Sequence, residues 1–144
     1  TTGLRYFTVY GPWYRPDMAI FIFTKKIIND EPISLFNNGN MFRDFTFVDD
    51  IVSGTLAAIK KNYKCEIFNL GNNKSENLMK VIRLIEKEVG KKAVIKYKPL
   101  QPGDPEKTFA NINKSKTMLG YSPKISLEDG IPIFYKWFKE YYNV

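Results

Sequence analysis

The strongest structural signal in the sequence is the run Gly3-Leu4-Arg5-Tyr6-Phe7-Thr8-Val9-Tyr10-Gly11-Pro12-Trp13-Tyr14-Arg15-Pro16-Asp17-Met18. Residues 4–10 are rich in aromatic and β-branched side chains, which predicts a strand. Gly11-Pro12 ends it, because glycine accepts a positive φ and proline has no N–H for a sheet ladder. Pro16-Asp17 suits the first turn of a following helix. Open α/β sheets bind their ligands at such strand–loop–helix junctions.

Two polar side chains are expected at this junction. Thr8, near the predicted strand end, offers a hydroxyl, and Arg15, in the loop, offers a planar guanidinium that matches a carboxylate or phosphate. The alternative is an ordinary buried strand and loop, since most strand ends carry no site.

Composition favours a single globular domain. The chain has 144 residues, of which 44% are hydrophobic and 15% aromatic, enough to bury a core. The single cysteine, Cys65, excludes an internal disulfide, and no apolar run or signal peptide is visible, so we expect a cytoplasmic protein. The chain begins at Thr1 rather than at Met, from which we expect a fragment or a processed form.

The net charge of +7, from 22 basic and 15 acidic residues, raises the question of nucleic-acid binding. The lysines are scattered over predicted helix faces and ends rather than gathered into a stripe with spaced aromatic residues. A solvated surface and a small anionic ligand explain the charge more simply.

Hydrophobic periodicity predicts alternating strands and helices after the opening run. Ser75 and Asn113 are expected to cap helices, and Ser126 with Asp129 resembles a capping box. Pro132 predicts a kink or a late start in the last helix. In chain order the predicted elements are a helix over 18–29, a strand over 33–36, a turn over 37–40, a strand over 41–48, a helix from 51, a strand over 66–70, a helix over 75–90, a strand over 93–97, a loop over 99–105, a helix over 113–120 and a final helix from 126.

Asp49 and Asp50 precede an apolar helical face that begins at Ile51, and one of them is expected to be the N-cap. Paired acids also suit catalysis or a metal ion, but the only further acid nearby in sequence is Asp44. Capping explains the pair without further assumptions, so no metal site is predicted.

The run over 4–19 resembles the nucleotide-sugar epimerases of the extended short-chain dehydrogenase/reductase family, and among them most closely the UDP-glucuronate 4-epimerases. Tyr14 departs from the family, which usually has glycine there. The resemblance implies an α/β fold that comprises the end of a Rossmann-type sheet and the small α/β substrate-binding domain. It assigns residues 1–144 to one carboxy-terminal portion that binds a nucleotide sugar.

The resemblance also implies the reaction. A 4-epimerase of this kind oxidises the C4 hydroxyl of the sugar with NAD, and the ketone is then reduced from its other face. The family base is a tyrosine with a lysine four residues later, and NAD binds a Gly-rich turn. This sequence has no such turn, and its one Tyr-x-x-x-Lys, Tyr135 and Lys139, lies in the last helix and is read as chance. We therefore expect no catalytic residue here, and NAD bound mainly by a missing amino-terminal part.

Five residues are implied as contacts of the nucleotide. The backbone of Ser34 and Phe36 would pair with the uracil edge, Arg43 would contact the diphosphate, and Gln101 and Asp104 would close over ribose and phosphate. The alternatives are core packing for Phe36, an ion pair with the adjacent carboxylate for Arg43, and a turn residue for Asp104.

Four residues are implied as contacts of the sugar and cofactor. Thr8 and Arg15 would hold the uronate carboxylate, and Tyr6 and Phe7 would lie against the nicotinamide. The alternative for Tyr6 and Phe7 is that they are buried strand residues.

Other functions stay open. A UDP-glucuronate decarboxylase, or another NAD-dependent nucleotide-sugar epimerase or dehydratase, shares the fold and the Arg43-Asp44-Phe45 element, and a non-catalytic nucleotide-sugar-binding module is a further alternative. The expected partner is a UDP-sugar, with no nucleic acid and no membrane. The resemblance implies a homodimer through the missing part, and a lone apolar edge strand predicts self-association by strand pairing or exchange.

Overall fold

Eight short strands and five helices make up the computed structural model, which describes residues 1–144. A 3₁₀ turn follows the third strand at Asn37–Gly39. The strands are β1 Thr2–Tyr6, β2 Thr8–Tyr10, β3 Ile33–Leu35, β4 Phe42–Arg43, β5 Phe45–Phe47, β6 Glu66–Leu70, β7 Glu76–Asn77 and β8 Ile95–Tyr97. The helices are α1 Ala19–Ile28, α2 Val48–Lys60, α3 Leu78–Val89, α4 Asn113–Leu119 and α5 Leu127–Tyr142. None of the helices is long and apolar enough to cross a membrane.

Strand pairing is mostly parallel. β1 runs parallel to β6, β2 to β5 and β3 to β8, whereas β4 and β7 are antiparallel. Parallel pairing among strands that alternate with helices is typical of the α/β fold expected from the sequence.

The single strand predicted over 4–10 is wrong in one respect, because the chain changes partner at Phe7. The Phe7 N–H donates to the Leu70 carbonyl at 3.1 Å, and the next N–H, of Thr8, donates to the Asp44 carbonyl at 3.1 Å. Thr8 therefore begins a second strand instead of ending the first. The partner change places Thr8 opposite Phe45 of β5.

Two hydrophobic cores hold the elements together. The larger lies among α1, α3, α5 and the strands β2, β3 and β5, and it includes Tyr10, Phe45 and Phe134. The smaller lies among α2, α4 and β6. Its buried members are Ile51, Ala58, Phe68, Leu70, Ala110, Ile112, Leu119 and Tyr121.

The predicted cap of α2 is wrong. The helix begins at Val48, so Asp49 and Asp50 both lie in its first turn and neither is the N-cap. The Asp50 carboxylate is buried and accepts the backbone N–H groups of Lys124 and Ile125, each at 3.0 Å. It thereby fixes the segment that leads into α5.

Two other caps differ from expectation by one or two residues. The N-cap of α3 is Asn77, whose Oδ1 accepts from the Met79 N–H at 2.7 Å, whereas the Ser75 hydroxyl is buried without a partner. Asn113 is the first residue of α4 and Ile112 is its N-cap.

The beginning of α5 agrees with the sequence. The Ser126 hydroxyl accepts from the Asp129 N–H at 3.2 Å and donates to the Asp129 carboxylate at 2.6 Å. The helix runs unbroken from Leu127 to Tyr142 with Pro132 inside it, so the predicted late start is not observed.

Candidate binding site

The larger of two adjoining cavities has a volume of about 560 Å³ and lies among β2, α1, β3, β4 and the loop 99–105. Six of the seven predicted substrate contacts line it. They are Thr8, Ser34, Phe36, Arg43, Gln101 and Asp104. Segments that are far apart in the chain therefore converge on one site.

Strand β3 positions the residues predicted to bind the base. Ile33 and Leu35 are buried, Ser34 between them is half-buried, and all three line the cavity. Phe36 follows directly, also half-buried and outside both cores, so the core-packing alternative for Phe36 is wrong. The ammonium of Lys98 lies 5.8 Å from the centroid of the Phe36 ring.

Arg43 pairs with Asp104, and both residues line the larger cavity. One guanidinium nitrogen lies 2.6 Å from Oδ1 of Asp104, and the two side chains are 16% and 34% exposed. The predicted alternative, an ion pair with adjacent Asp44, is wrong, because the Asp44 carboxylate is buried and accepts backbone N–H groups. The Arg43–Asp104 pair ties the loop 99–105 to β4.

Two charged residues of this cavity were not identified from the sequence. Lys26, near the end of α1, lines the wall and donates to the Pro32 carbonyl at 3.1 Å. Asp17 lines the same cavity, whereas its sequence position indicates only a helix start. A lysine near a helix C-terminus is ordinary, so Lys26 carried no distinguishing signal.

The second cavity has a volume of about 420 Å³ and lies against β1, β2 and the loop that follows β2. It contains both residues predicted to face the cofactor, Tyr6 and Phe7, together with Arg15. Tyr6 is 51% exposed, so the buried-strand alternative does not describe it, whereas Phe7 is half-buried and packs against the smaller core. The structure does not place Thr8 and Arg15 in one cavity, since Thr8 lines the first and Arg15 the second.

The loop between β2 and α1 lies between the two cavities. Pro16 and Asp17 precede the helix, which begins at Ala19 with Met18 as N-cap, so their predicted place in its first turn is wrong. Met18 lines both cavities. Arg15 makes a two-point contact with Asp17, from Nε to Oδ1 at 3.1 Å and from Nη2 to Oδ2 at 2.6 Å.

Aromatic packing anchors the same loop. Trp13 has a φ of 64°, in the left-handed region. The centroid of its ring lies 5.7 Å from that of Trp137 and 5.2 Å from that of Tyr141. The Tyr14 hydroxyl is buried without a hydrogen-bond partner. Burial raises the pKa of Tyr14 above its ordinary value, so this hydroxyl stays protonated.

The two cavities combine polar and charged side chains with apolar walls. They offer guanidinium, ammonium, hydroxyl, amide and carboxylate groups on apolar walls. Tyr135 and Lys139 line neither cavity, and they contact each other on α5 at 5.3 Å from ammonium to ring centroid. No group of three or more histidine, cysteine, aspartate or glutamate side chains is arranged to hold a metal ion.

Comparisons with known proteins show which sequences and structures this chain resembles. Residues 1–71 match the NAD dependent epimerase/dehydratase family. A protein of Methanocaldococcus jannaschii without an assigned function is 52% identical over 96% of this chain and 42% of its own length. The UDP-glucuronate 4-epimerase of Thermodesulfobacterium geofontis is 44% identical over 95% of this chain and 42% of its own length.

A solved structure shows the same fold. The UDP-glucuronic acid 4-epimerase from Bacillus cereus, in complex with UDP-glucuronic acid and NAD, superposes with a TM-score of 0.90. It is 40% identical, over 96% of this chain and 45% of that one. The chain spans less than half the length of these relatives, and the matched segment is their carboxy-terminal portion. The Rossmann-type α/β fold expected from the sequence is confirmed, and so is the resemblance to the UDP-glucuronate 4-epimerases, which rests on relatives and solved structures at 40% identity or more.

Proposed function

We propose that this chain is the substrate-binding part of a UDP-glucuronate 4-epimerase, which interconverts UDP-glucuronate and UDP-galacturonate through an NAD-dependent 4-keto intermediate. The observation that carries the proposal is the convergence of six predicted nucleotide-sugar contacts on the larger cavity. The adjoining cavity, with Tyr6 and Phe7, supports a cofactor site beside it.

The nucleotide would lie in the larger cavity. Ser34 and Phe36 would meet the uracil, the first through its backbone and the second through its half-buried ring. Arg43 would contact the diphosphate, because a guanidinium matches two phosphate oxygens at once. Gln101 and Asp104 would face the ribose from the loop 99–105, which the Arg43–Asp104 pair already holds close.

The uronate would reach the boundary of the two cavities, with Thr8 on one side and Arg15 on the other. Fixing its carboxylate protects the keto intermediate from decarboxylation, since the 4-keto uronate is a β-keto acid that can lose CO₂. A carboxylate held away from the orientation needed for that cleavage stays attached while the ketone turns.

Tyr6 and Phe7 would form the wall against which the nicotinamide lies. When bound, NAD accepts the hydride from C4 of the sugar and returns it. The base that takes the hydroxyl proton would come from a segment outside this chain, so we expect this chain alone to be inactive. That segment would also supply most of the NAD site and the contacts of a homodimer. We place the enzyme in the cytoplasm, in the synthesis of polysaccharide precursors.

A chimera tests this function. Residues 1–144 would replace the matching segment of the Bacillus cereus 4-epimerase. The conversion of UDP-glucuronate by this chimera in the presence of NAD would be followed by ¹H NMR. We expect UDP-galacturonate to appear, and we expect Arg43→Gln to raise the KM by about tenfold through the lost charge-assisted contact. A pentose product would show a decarboxylase instead. Binding of UDP without turnover by the chimera would favour a binding module.

A further inference from the structure

The Arg15 guanidinium already holds a carboxylate. Its Nε and Nη2 atoms bind the two oxygens of Asp17 at 3.1 and 2.6 Å, a side-by-side arrangement of two parallel hydrogen bonds. This is the arrangement in which arginine recognises a free carboxylate group. Asp17 therefore occupies the edge of Arg15 that a uronate would use.

The pair lies where the substrate is expected. Asp17 lines the larger cavity and Arg15 the smaller one, so their contact crosses the boundary between them. Hydrogen bonding from Arg15 holds the pKa of Asp17 below its ordinary value, so its carboxylate is charged at neutral pH. The cationic groups facing the larger cavity are Lys26 and Arg43, and each already bonds a chain oxygen, of Pro32 and Asp104 respectively.

The contact is weak enough to exchange. The side chains of Arg15 and Asp17 are 73% and 62% exposed, so water screens their attraction. An exposed ion pair of this kind typically changes the equilibrium constant for folding by only about two- to fivefold. A ligand carboxylate can therefore replace Asp17, whereas a neutral sugar has no group that would.

We propose that Asp17 competes with the sugar carboxylate for Arg15 and so limits the preference of this site for UDP-glucuronate over neutral UDP-hexoses. The inference rests on the proposed function, because it takes Arg15 as the uronate contact. Asp17 acts through Arg15 and is thus a positioning residue for specificity.

The test is a titration of the ¹⁵N-labelled 144-residue chain with UDP-glucuronate and, separately, with UDP-glucose. In Asp17→Asn we expect UDP-glucuronate to bind about two- to fivefold more tightly, with UDP-glucose unchanged. Asp17→Glu should restore the weaker binding. The Arg15 Nε–H resonance should move when UDP-glucuronate is added to the unaltered chain and stay still with UDP-glucose.

Two results would overturn the inference: weaker UDP-glucuronate binding in Asp17→Asn, or an equal change for both nucleotides. Arg15→Gln separates this failure from that of the proposed function. If Arg15→Gln weakens only UDP-glucuronate while Asp17→Asn changes nothing, the uronate contact stands and the competition does not. If Arg15→Gln leaves UDP-glucuronate binding unchanged, the proposed role of Arg15 fails and the competition fails with it.

Discussion

At the scale of single residues, Asp44 joins three separate segments of the chain. Its side chain is fully buried and accepts the Asn72 N–H at 2.7 Å, the Ala110 N–H at 2.9 Å and the Thr46 hydroxyl at 3.3 Å. Both carboxylate oxygens are used, because Asn72 and Thr46 bond Oδ1 and Ala110 bonds Oδ2. A buried charge of this kind is stabilising only while its donors remain in place.

We predict that Asp44→Asn lowers the free energy of unfolding by about 2–3 kcal/mol, because an amide presents one acceptor oxygen and leaves a buried N–H unpaired. Urea unfolding followed by circular dichroism measures the change. Asp49→Asn is the matched control, since Asp49 is exposed in the first turn of α2 and should lose less than about 1 kcal/mol. Equal midpoints for the two variants would contradict the role given to Asp44.

The limits of sequence reasoning are clearest at this scale. Arg43 was predicted as an anion contact with adjacent Asp44 as its alternative partner, yet Arg43 pairs with Asp104, 61 positions away. No local spacing encodes such a pairing. The strand–loop–helix junction indicated only Thr8 and Arg15, and the roles of all nine site residues came from the resemblance. Their grouping into two cavities depends on tertiary contacts that periodicity does not describe.

At the scale of elements, α5 approaches β2 through a glycine. The Tyr10 hydroxyl donates to the Ser126 carbonyl at 3.1 Å as it crosses the first turns of the helix. A Cβ added at Gly130 would lie 2.1 Å from the Tyr10 hydroxyl oxygen and 2.9 Å from a ring carbon of Phe47. The absence of a side chain at this position is what lets the helix lie against the strand.

We predict that Gly130→Ala destabilises the chain by about 1–3 kcal/mol, the cost of overpacking a close contact. Helix propensity alone predicts the opposite, since alanine is favoured over glycine by about 1 kcal/mol inside a helix. The thermal unfolding midpoint of Gly130→Ala should therefore fall. Tyr10→Phe should make the added methyl less costly, because it removes the nearest atom, and a higher midpoint for Gly130→Ala alone would refute the packing argument.

Element types were largely predictable, whereas boundaries were not. The apolar stripe of α3 and the capping box of α5 are local signals, and both elements form as expected. Ser75 was predicted as a cap because it is polar and precedes the stripe, but the pairing of β7 with β4 keeps the chain extended through Asn77. The strand over 4–10 is divided at Phe7 for a similar reason. The part before Phe7 pairs with β6, and the part after it pairs with β5.

At the scale of the whole molecule, the β1–β6 pair is covered on one side only. Phe68 and Leu70 face the smaller core with α2 and α4, whereas Ile67 on the opposite face is 50% exposed. Parallel strands are usually buried on both faces, because helices cover them. This open face is consistent with the proposal that a cofactor-binding segment completes the site.

The outer edge of β1 is also unpaired. Glu66 N donates to the Thr1 carbonyl and Phe7 N donates to the Leu70 carbonyl, so the alternating ladder uses the odd-numbered residues of this strand. The N–H groups of Thr2, Leu4 and Tyr6 therefore point away from β6, and no strand lies beyond them. Such an edge is a template for pairing with another chain.

We predict that the isolated chain self-associates through this edge, and that Tyr6→Pro weakens the association by roughly tenfold, because proline removes one outward N–H and obstructs the approach of a partner strand. Tyr6→Ala is the matched control, since it removes the same side chain and its hydrogen bond to Thr55 but keeps the N–H. Sedimentation equilibrium gives the dissociation constants.

Because each copy carries a net charge of +7, added salt should strengthen the association by screening the repulsion between copies. Equal weakening in Tyr6→Pro and Tyr6→Ala would place the contact on the side chain rather than on the strand edge.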